Sequence, residues 1–117
     1  MIDAISSSLS ALSAANKKMG VTSNNIANVN TDKFKKSRVA LSERANGGVS
    51  ATVDLVDTPG IPKETIQNDQ IVQTESSNVD LAEELTELIP TKSLYGANLK
   101  TLKTQQDMLG SLIDMVG

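Results

Sequence analysis

Both ends of this chain carry apolar residues at alternating steps of three and four, and a polar, turn-rich middle separates them. In front the seam is Ile2, Ile5, Leu9, Leu12, Met19 and Ile26. Behind, it is Leu81, Leu85, Leu88, Tyr95, Leu99, Leu102, Leu109, Ile113 and Val116, with Leu94, Met108, Leu112 and Met115 beside the main stripe. Polar residues stand where the rhythm skips: Asn16 in front, Lys92 and Gln106 behind. Such a seam is satisfied by a partner helix. The expected fold is therefore mostly α, with two long terminal helices packed as an antiparallel coiled-coil-like hairpin. Closing the two seams on each other as an intramolecular core is the plainer use of them. A back stripe wider than one partner can cover points instead to further neighbours.

Composition narrows the function. The chain has one Phe, one Tyr and no Trp. Aromatic side chains supply much of the burial in a compact core, so this chain is poorly equipped to stabilise a globule alone. It has no Cys and no His, which removes thiolate and imidazole metal ligands and the commonest general base. Glu83, Glu84 and Glu87 are acids on neighbouring helical positions, and a solvated helix face explains them without a metal. No catalytic residue, cofactor site or small-molecule substrate is expected. The net charge of -3 disfavours nucleic acid. Lys35, Lys36 and Arg38 form the one basic knot, read here as a solvated patch beside a turn. No stretch approaches the ~20 apolar residues of a membrane span, and the start has no secretory-signal pattern.

Three segments follow. Residues 1–34 are a helix running to about Asn28, then an Asn-rich turn in which Asn and Asp side chains bond local backbone. Residues 35–75 are a short β or extended middle. Asn46-Gly47-Gly48 marks a turn, Val49 to Leu55 alternates with period two, Thr58-Pro59-Gly60-Ile61-Pro62 breaks the strand, and Ile71 to Thr74 suggests another. So few strands make either a small hairpin on the helices or an extended arm. Residues 76–117 are a second helix, with Ser77 and Asp80 at capping-box spacing. Pro90 removes a helical hydrogen bond at a cost of about 3 kcal/mol, so a kink or break is expected just before it.

The run Asn24-Asn25-Ile26-Ala27-Asn28-Val29-Asn30-Thr31-Asp32-Lys33-Phe34-Lys35 resembles the N-terminal signature of the bacterial flagellar rod and hook family. Glu75 to Leu85, then Tyr95-Gly96-Ala97-Asn98 and Met108-Leu109-Gly110, are similar to the C-terminal segment of that family. The matching motif positions are Asn25, Asn28, Asn30, Thr31, Phe34, Asn78 and Asn98. Lys33 stands where the family usually has Gly, and Pro90 and Gly96 fall in normally uninterrupted helix. The short middle is most like a C-type proximal-rod member of the basal body.

The resemblance implies a structural, non-enzymatic subunit that leaves the cytoplasm through the flagellar export apparatus without a cleaved signal. It implies helical assembly with its own copies and other rod subunits into a hollow, periplasm-spanning drive shaft that carries torque and conducts exported subunits. Ile5, Leu9, Leu12, Met19, Ile26, Leu85, Leu88, Tyr95, Leu99, Leu102, Leu109 and Ile113 are the expected assembly seam. The alternative is a stand-alone helical adaptor that binds one partner helix in a groove.

Overall fold

A computed structural model describes residues 2–117, with side-chain environments from residue 3 onward, so Ile2 of the front seam lies outside the described side chains. Helix α1 spans Ile2–Ala27 and helix α2 spans Leu81–Val116. Between them lie strands β1 (Ser37–Glu43), β2 (Val49–Leu55), β3 (Pro62–Gln67) and β4 (Gln70–Glu75). The strands form two separate antiparallel hairpins, β1–β2 and β3–β4. The helix–strand–helix order agrees with the expected mostly α fold with a short β middle.

Helix α1 is rich in Ala and free of proline, and it ends where Asn28 takes over the capping role. The Asn28 backbone N–H still reaches Asn24 O at 3.2 Å, and its side-chain Nδ2 donates to the same carbonyl at 2.9 Å. Helix α2 starts later than the capping-box spacing implies. Its N-cap is Asp80, whose Oδ1 accepts from Ala82 N at 2.8 Å and Glu83 N at 3.3 Å. Ser77 instead accepts from Val79 N at 3.2 Å and shapes the approach to the cap. The break expected at Pro90 is absent, because α2 runs unbroken through it. Pro90 is exposed and lines a hollow between α1 and α2.

Along α1 residue numbers fall as they rise along α2. Asn25 meets Glu84, Lys18 meets Glu87, and Ala11 shares a groove with Leu94. The buried line on α1 is Ser8, Leu12, Ala15 and Thr22, with Ile5, Met19 and Ile26 half-buried between them. On α2, Glu84, Thr91 and Gln105 are buried, and Leu88, Tyr95, Asn98 and Leu102 are half-buried. Both lines step by three and four without a skip. Asn16, Lys92 and Gln106 are exposed. The interruptions in the apolar seams thus arise from following large side chains only. The packed line passes one residue away, through Ala15, Thr91 and Gln105.

The two hairpins have different settings. β1–β2 lies back against α1, with the Gly48 turn over Ser7 and Ser10 and the Val49 N–H donating to Ser10 Oγ at 3.0 Å. Gly48 has φ +86°, and a Cβ there would collide with the Ser10 hydroxyl. β3 and β4 contact no other helix or strand among the described residues. Their turn places Asn68 and Asp69 at φ 52° and 58°, the paired left-handed geometry that Asn and Asp tolerate in tight hairpins. The middle segment is therefore one hairpin on the helices and one free arm.

The molecule measures 79 × 24 × 21 Å, and α2 with its 36 residues accounts for about 54 Å of the long axis. The remaining ~25 Å is close to the ~20 Å that the six-residue strands of β3–β4 span at ~3.4 Å per residue. The radius of gyration is 20.8 Å against about 13 Å for a compact domain of this length. Exposed surface is 8220 Å², where a compact monomer of 12.4 kDa shows roughly 6,100 Å². Buried apolar residues among those described are Leu12, Ala14 and Ala15. A core this small agrees with the scarcity of aromatic side chains.

Lys33 carries the turn at the family's glycine position with φ 60°, its N–H donating to Glu75 O at 3.0 Å. A left-handed non-glycine residue costs about 1–2 kcal/mol, partly offset by the chain entropy that glycine adds to the unfolded state. Lys33→Gly is expected to stabilise the subunit by about 0.5–1 kcal/mol in urea unfolding. A destabilised variant would show that the Lys33 side chain matters more than its backbone.

Candidate functional site

Two surfaces stand out: a polar clamp where the two halves of the chain meet, and an exposed apolar face along α2. The clamp is built on two asparagines. Asn25, 2% exposed, donates through Nδ2 to Ser37 O at 2.8 Å and to Glu84 Oε1 at 3.0 Å, while its Oδ1 accepts from Ser37 N at 3.0 Å. One amide thus ties the end of α1, the start of β1 and the first turn of α2. Asn78 repeats the device. Its Oδ1 accepts from Lys36 N at 2.6 Å, and its Nδ2 donates to Val56 O at 2.8 Å and Thr58 O at 2.9 Å.

The basic knot surrounds these amides and is not a solvated patch. Lys35 Nζ binds Glu75 at 2.7 Å and Thr58 O at 2.9 Å. Lys36 Nζ reaches Glu83 at 2.5 Å, and Arg38 shares the same carboxylate at 2.9 Å. Glu83, Glu84 and Glu87 correspondingly take three protein partners: the Lys36–Arg38 pair, Asn25, and Lys18 at 3.4 Å. They are not a free acidic face. No sequence pattern matches these cations to these acids, which lie forty or more positions away.

The Lys36 hydrogen bond, then its charge, holds the Glu83 carboxyl below the ordinary value of 4.5 against desolvation. The Lys35 hydrogen bond does the same for Glu75. A carboxyl lowered in the folded state adds stability that is fully present above its unfolded value and is lost as pH falls through the folded value. Thermal unfolding is expected to be flat with pH near neutrality, where no His titrates. It should weaken only as pH drops below 4.5, with a shallower loss in Glu83→Gln. Equal acid sensitivity in the variant and the parent would exclude Glu83 as a contributor.

Other motif positions have local roles. Asn28 Oδ1 accepts from Thr31 Oγ1 at 3.1 Å, and Phe34 bridges the halves by donating to Thr31 O and accepting from Asn78 N. Asn30 is exposed, and Asn98 Nδ2 donates to Leu94 O within its own helix at 2.9 Å.

The predicted seam residues divide into two groups. Leu12 is buried, and Ile5, Met19, Ile26, Leu88, Tyr95 and Leu102 are half-buried along the line between the helices. Leu9, Leu85, Leu99, Leu109 and Ile113 are exposed. Leu9 lies on α1; the other four, with Leu81, Met108, Leu112, Met115 and Val116, leave the outer side and the last turns of α2 uncovered, Val116 at 89% exposure. The polar half of the inner line, from Ser8 to Gln105, escaped a reading based on apolar spacing.

No helix among the described residues is long and apolar enough to cross a membrane. No curated protein matches the chain. Two family models do, one at each end: "Flagella basal body rod protein" over residues 5–35 and "Flagellar basal body rod FlgEFG protein C-terminal" over residues 73–115. They contain the Asn25 and the Asn78–Glu84 sides of the clamp, respectively. The outer face of α2 falls within the second match. With both terminal signatures present in order and joined by this clamp, the chain belongs to the flagellar basal-body rod protein family.

Proposed function

We propose that this chain is a proximal-rod subunit, of the short type most similar to the C-type, and that its terminal helices assemble helically into the hollow drive shaft of the basal body. The observation that carries this reading is the exposed apolar face of α2, which continues over its last turns within a family-matched segment. Leaving so many large apolar side chains in water marks an interaction surface. The opposed numbering of the helix contacts supports an antiparallel, coiled-coil-like pairing. The small core supports a subunit that gains stability from its neighbours. The short segment between the two matches supports the proximal assignment, because hook and distal-rod members carry larger insertions there.

In this reading the inner line holds the subunit together, and the exposed seam meets other copies and other rod subunits. The role is mechanical: torque passes through the packed helices across the periplasm while exported subunits move through the lumen. Delivery is through the flagellar export apparatus without a cleaved signal. No reaction is assigned to the protein.

Sedimentation of purified subunit across concentration, followed by electron microscopy, tests this. Open heterologous contacts produce concentration-dependent polymers or short tubes. A protein that stays monomeric at all concentrations, or stops at one closed complex, would overturn helical assembly and favour the adaptor alternative.

A further inference from the structure

The β3–β4 arm is unusual in having apolar side chains and nothing of its own to place them against. Ile66 and Ile71 face each other across the strands beside the turn and are 74% and 70% exposed. Val72 and Ile61 are also exposed. An isolated two-stranded hairpin is at best marginally stable in water, and its cross-strand pairs contribute well under the strength of a packed core. Such an arm gains most from a surface that covers its tip.

The same chain carries a hollow suited to that tip. Small residues on α1, Ala11, Ala14 and Ala15, face Pro90 and Leu94 of α2, and Leu41 of β1 forms another wall. They enclose about 190 Å³. Apolar cavities of roughly 150 Å³ take up a benzene ring, so this volume accepts the ends of two branched aliphatic side chains. Charge agrees as well. The turn carries Asp69, and Lys18, which pairs with Glu87 at 3.4 Å, lines the hollow. Lys17 beside it holds the Ala51 carbonyl at 3.0 Å and no acid among the described residues.

The arm cannot reach its own hollow. β4 leaves the clamp at Glu75, and its six residues carry the turn up to about 20 Å from there, which accounts for the part of the 79 Å long axis that α2 does not fill. The Ala11–Ala15 stretch lies about 15–20 Å behind the clamp at 1.5 Å per residue. The two sites are thus roughly 40 Å apart along one molecule, and an axial shift of about that size superposes the arm of one copy on the hollow of another.

We propose that the β3–β4 hairpin is an assembly arm whose Ile66–Ile71 tip seats in the α1–α2–β1 hollow of a second copy of this chain. This rests on the assembly reading above and names one contact within it. Because the two surfaces differ, the contact is heterologous and leaves an arm and a hollow free at each end of any pair.

The absence of cysteine makes the test clean. Two differently tagged variants, Ile66→Cys and Leu94→Cys, are mixed at assembling concentration and oxidised. A disulfide requires Cα atoms within about 7 Å. The expected result is a mixed dimer linked 66 to 94. A double variant kept dilute should form no internal bridge. Ile66→Asp should raise the concentration needed for assembly by about tenfold or more, with unchanged thermal unfolding because Ile66 is exposed at the tip, away from the Glu75 and Lys63 contacts at the base of the arm.

Assembly of the parent without the 66–94 link, or a link from Ile66→Cys to Leu112→Cys in its place, overturns the arm contact while helical assembly stands. Ile66→Asp assembling like the parent overturns it too. A parent that never assembles sinks both readings and is recognised by sedimentation before any cross-link is attempted.

Discussion

Replacing Asn25 with Ala is expected to destabilise the isolated subunit by about 4 kcal/mol. The substitution removes three hydrogen bonds at once, at 2.8, 3.0 and 3.0 Å, one of them to a carboxylate. It strands the Ser37 N–H and C=O and leaves buried Glu84 without its side-chain donor. Each unsatisfied buried group costs about 1–3 kcal/mol, so the total loss is about 4 kcal/mol. Domains are stable by only about 5–15 kcal/mol, and this one has little apolar core in reserve. Urea unfolding followed by circular dichroism measures the loss. Asn28→Ala, whose side chain bonds only exposed local groups, is expected to cost about 1 kcal/mol. Glu84→Gln should be mild, because it keeps an oxygen for Asn25. If Asn25→Ala unfolds no more easily than Asn28→Ala, the clamp does not hold the halves together.

The second large effect separates folding from assembly. Leu109 is 42% exposed on the last turns of α2, whereas Leu102 is half-buried on the inner line. Leu109→Asp places a charge in water in the dilute subunit, so its unfolding free energy should stay within about 0.5 kcal/mol of the parent. In a polymer the same charge is buried without a partner, and the concentration needed to assemble should rise about a hundredfold or more. Leu102→Asp should fail earlier, losing about 3 kcal/mol as a monomer because its carboxylate enters the helix–helix line. In motile cells both variants should be non-swimming, but only Leu109→Asp should accumulate as folded subunit. Normal swimming of Leu109→Asp would remove the exposed seam from the assembly.

Much of the architecture was legible in the sequence because it follows from local rules. Alanine-rich, proline-free spacing marked α1, and period-two alternation marked β2. The glycine pair at 47–48 marked the intervening turn. Strand β1 was not recognised, since Ser37, Arg38 and Glu43 interrupt its alternation and its partner lies across a turn. β3 was hidden for a similar reason: its one large apolar residue within the strand is Ile66, too few to declare a face. The packed line between the helices was displaced by one residue because half of it is Ser, Ala, Thr, Asn, Gln and Glu. Apolar spacing sees only the leucines, which serve both an inner and an outer face. A proline removes one hydrogen bond from a helix, and in a helix of 36 residues that loss at Pro90 does not end α2. The clamp's hydrogen bonds depend on which distant backbone arrives beside each amide. Neither periodicity nor charge pattern encodes that arrival.

The clamp also bears on the order of events during folding. Asn25 and Glu84 are 59 positions apart, and Lys36 and Glu83 are 47 apart. Contacts of such separation form late, because the entropy of closing the intervening loop is lost before they return any energy. A chain emerging from a ribosome or a narrow conduit, amino end first, can pair Asn25 with Ser37 early, but has no Glu84 to complete the clamp until its final third is free. Its early segments stay pliable for that interval, and the last residues to appear trigger closure of the whole subunit.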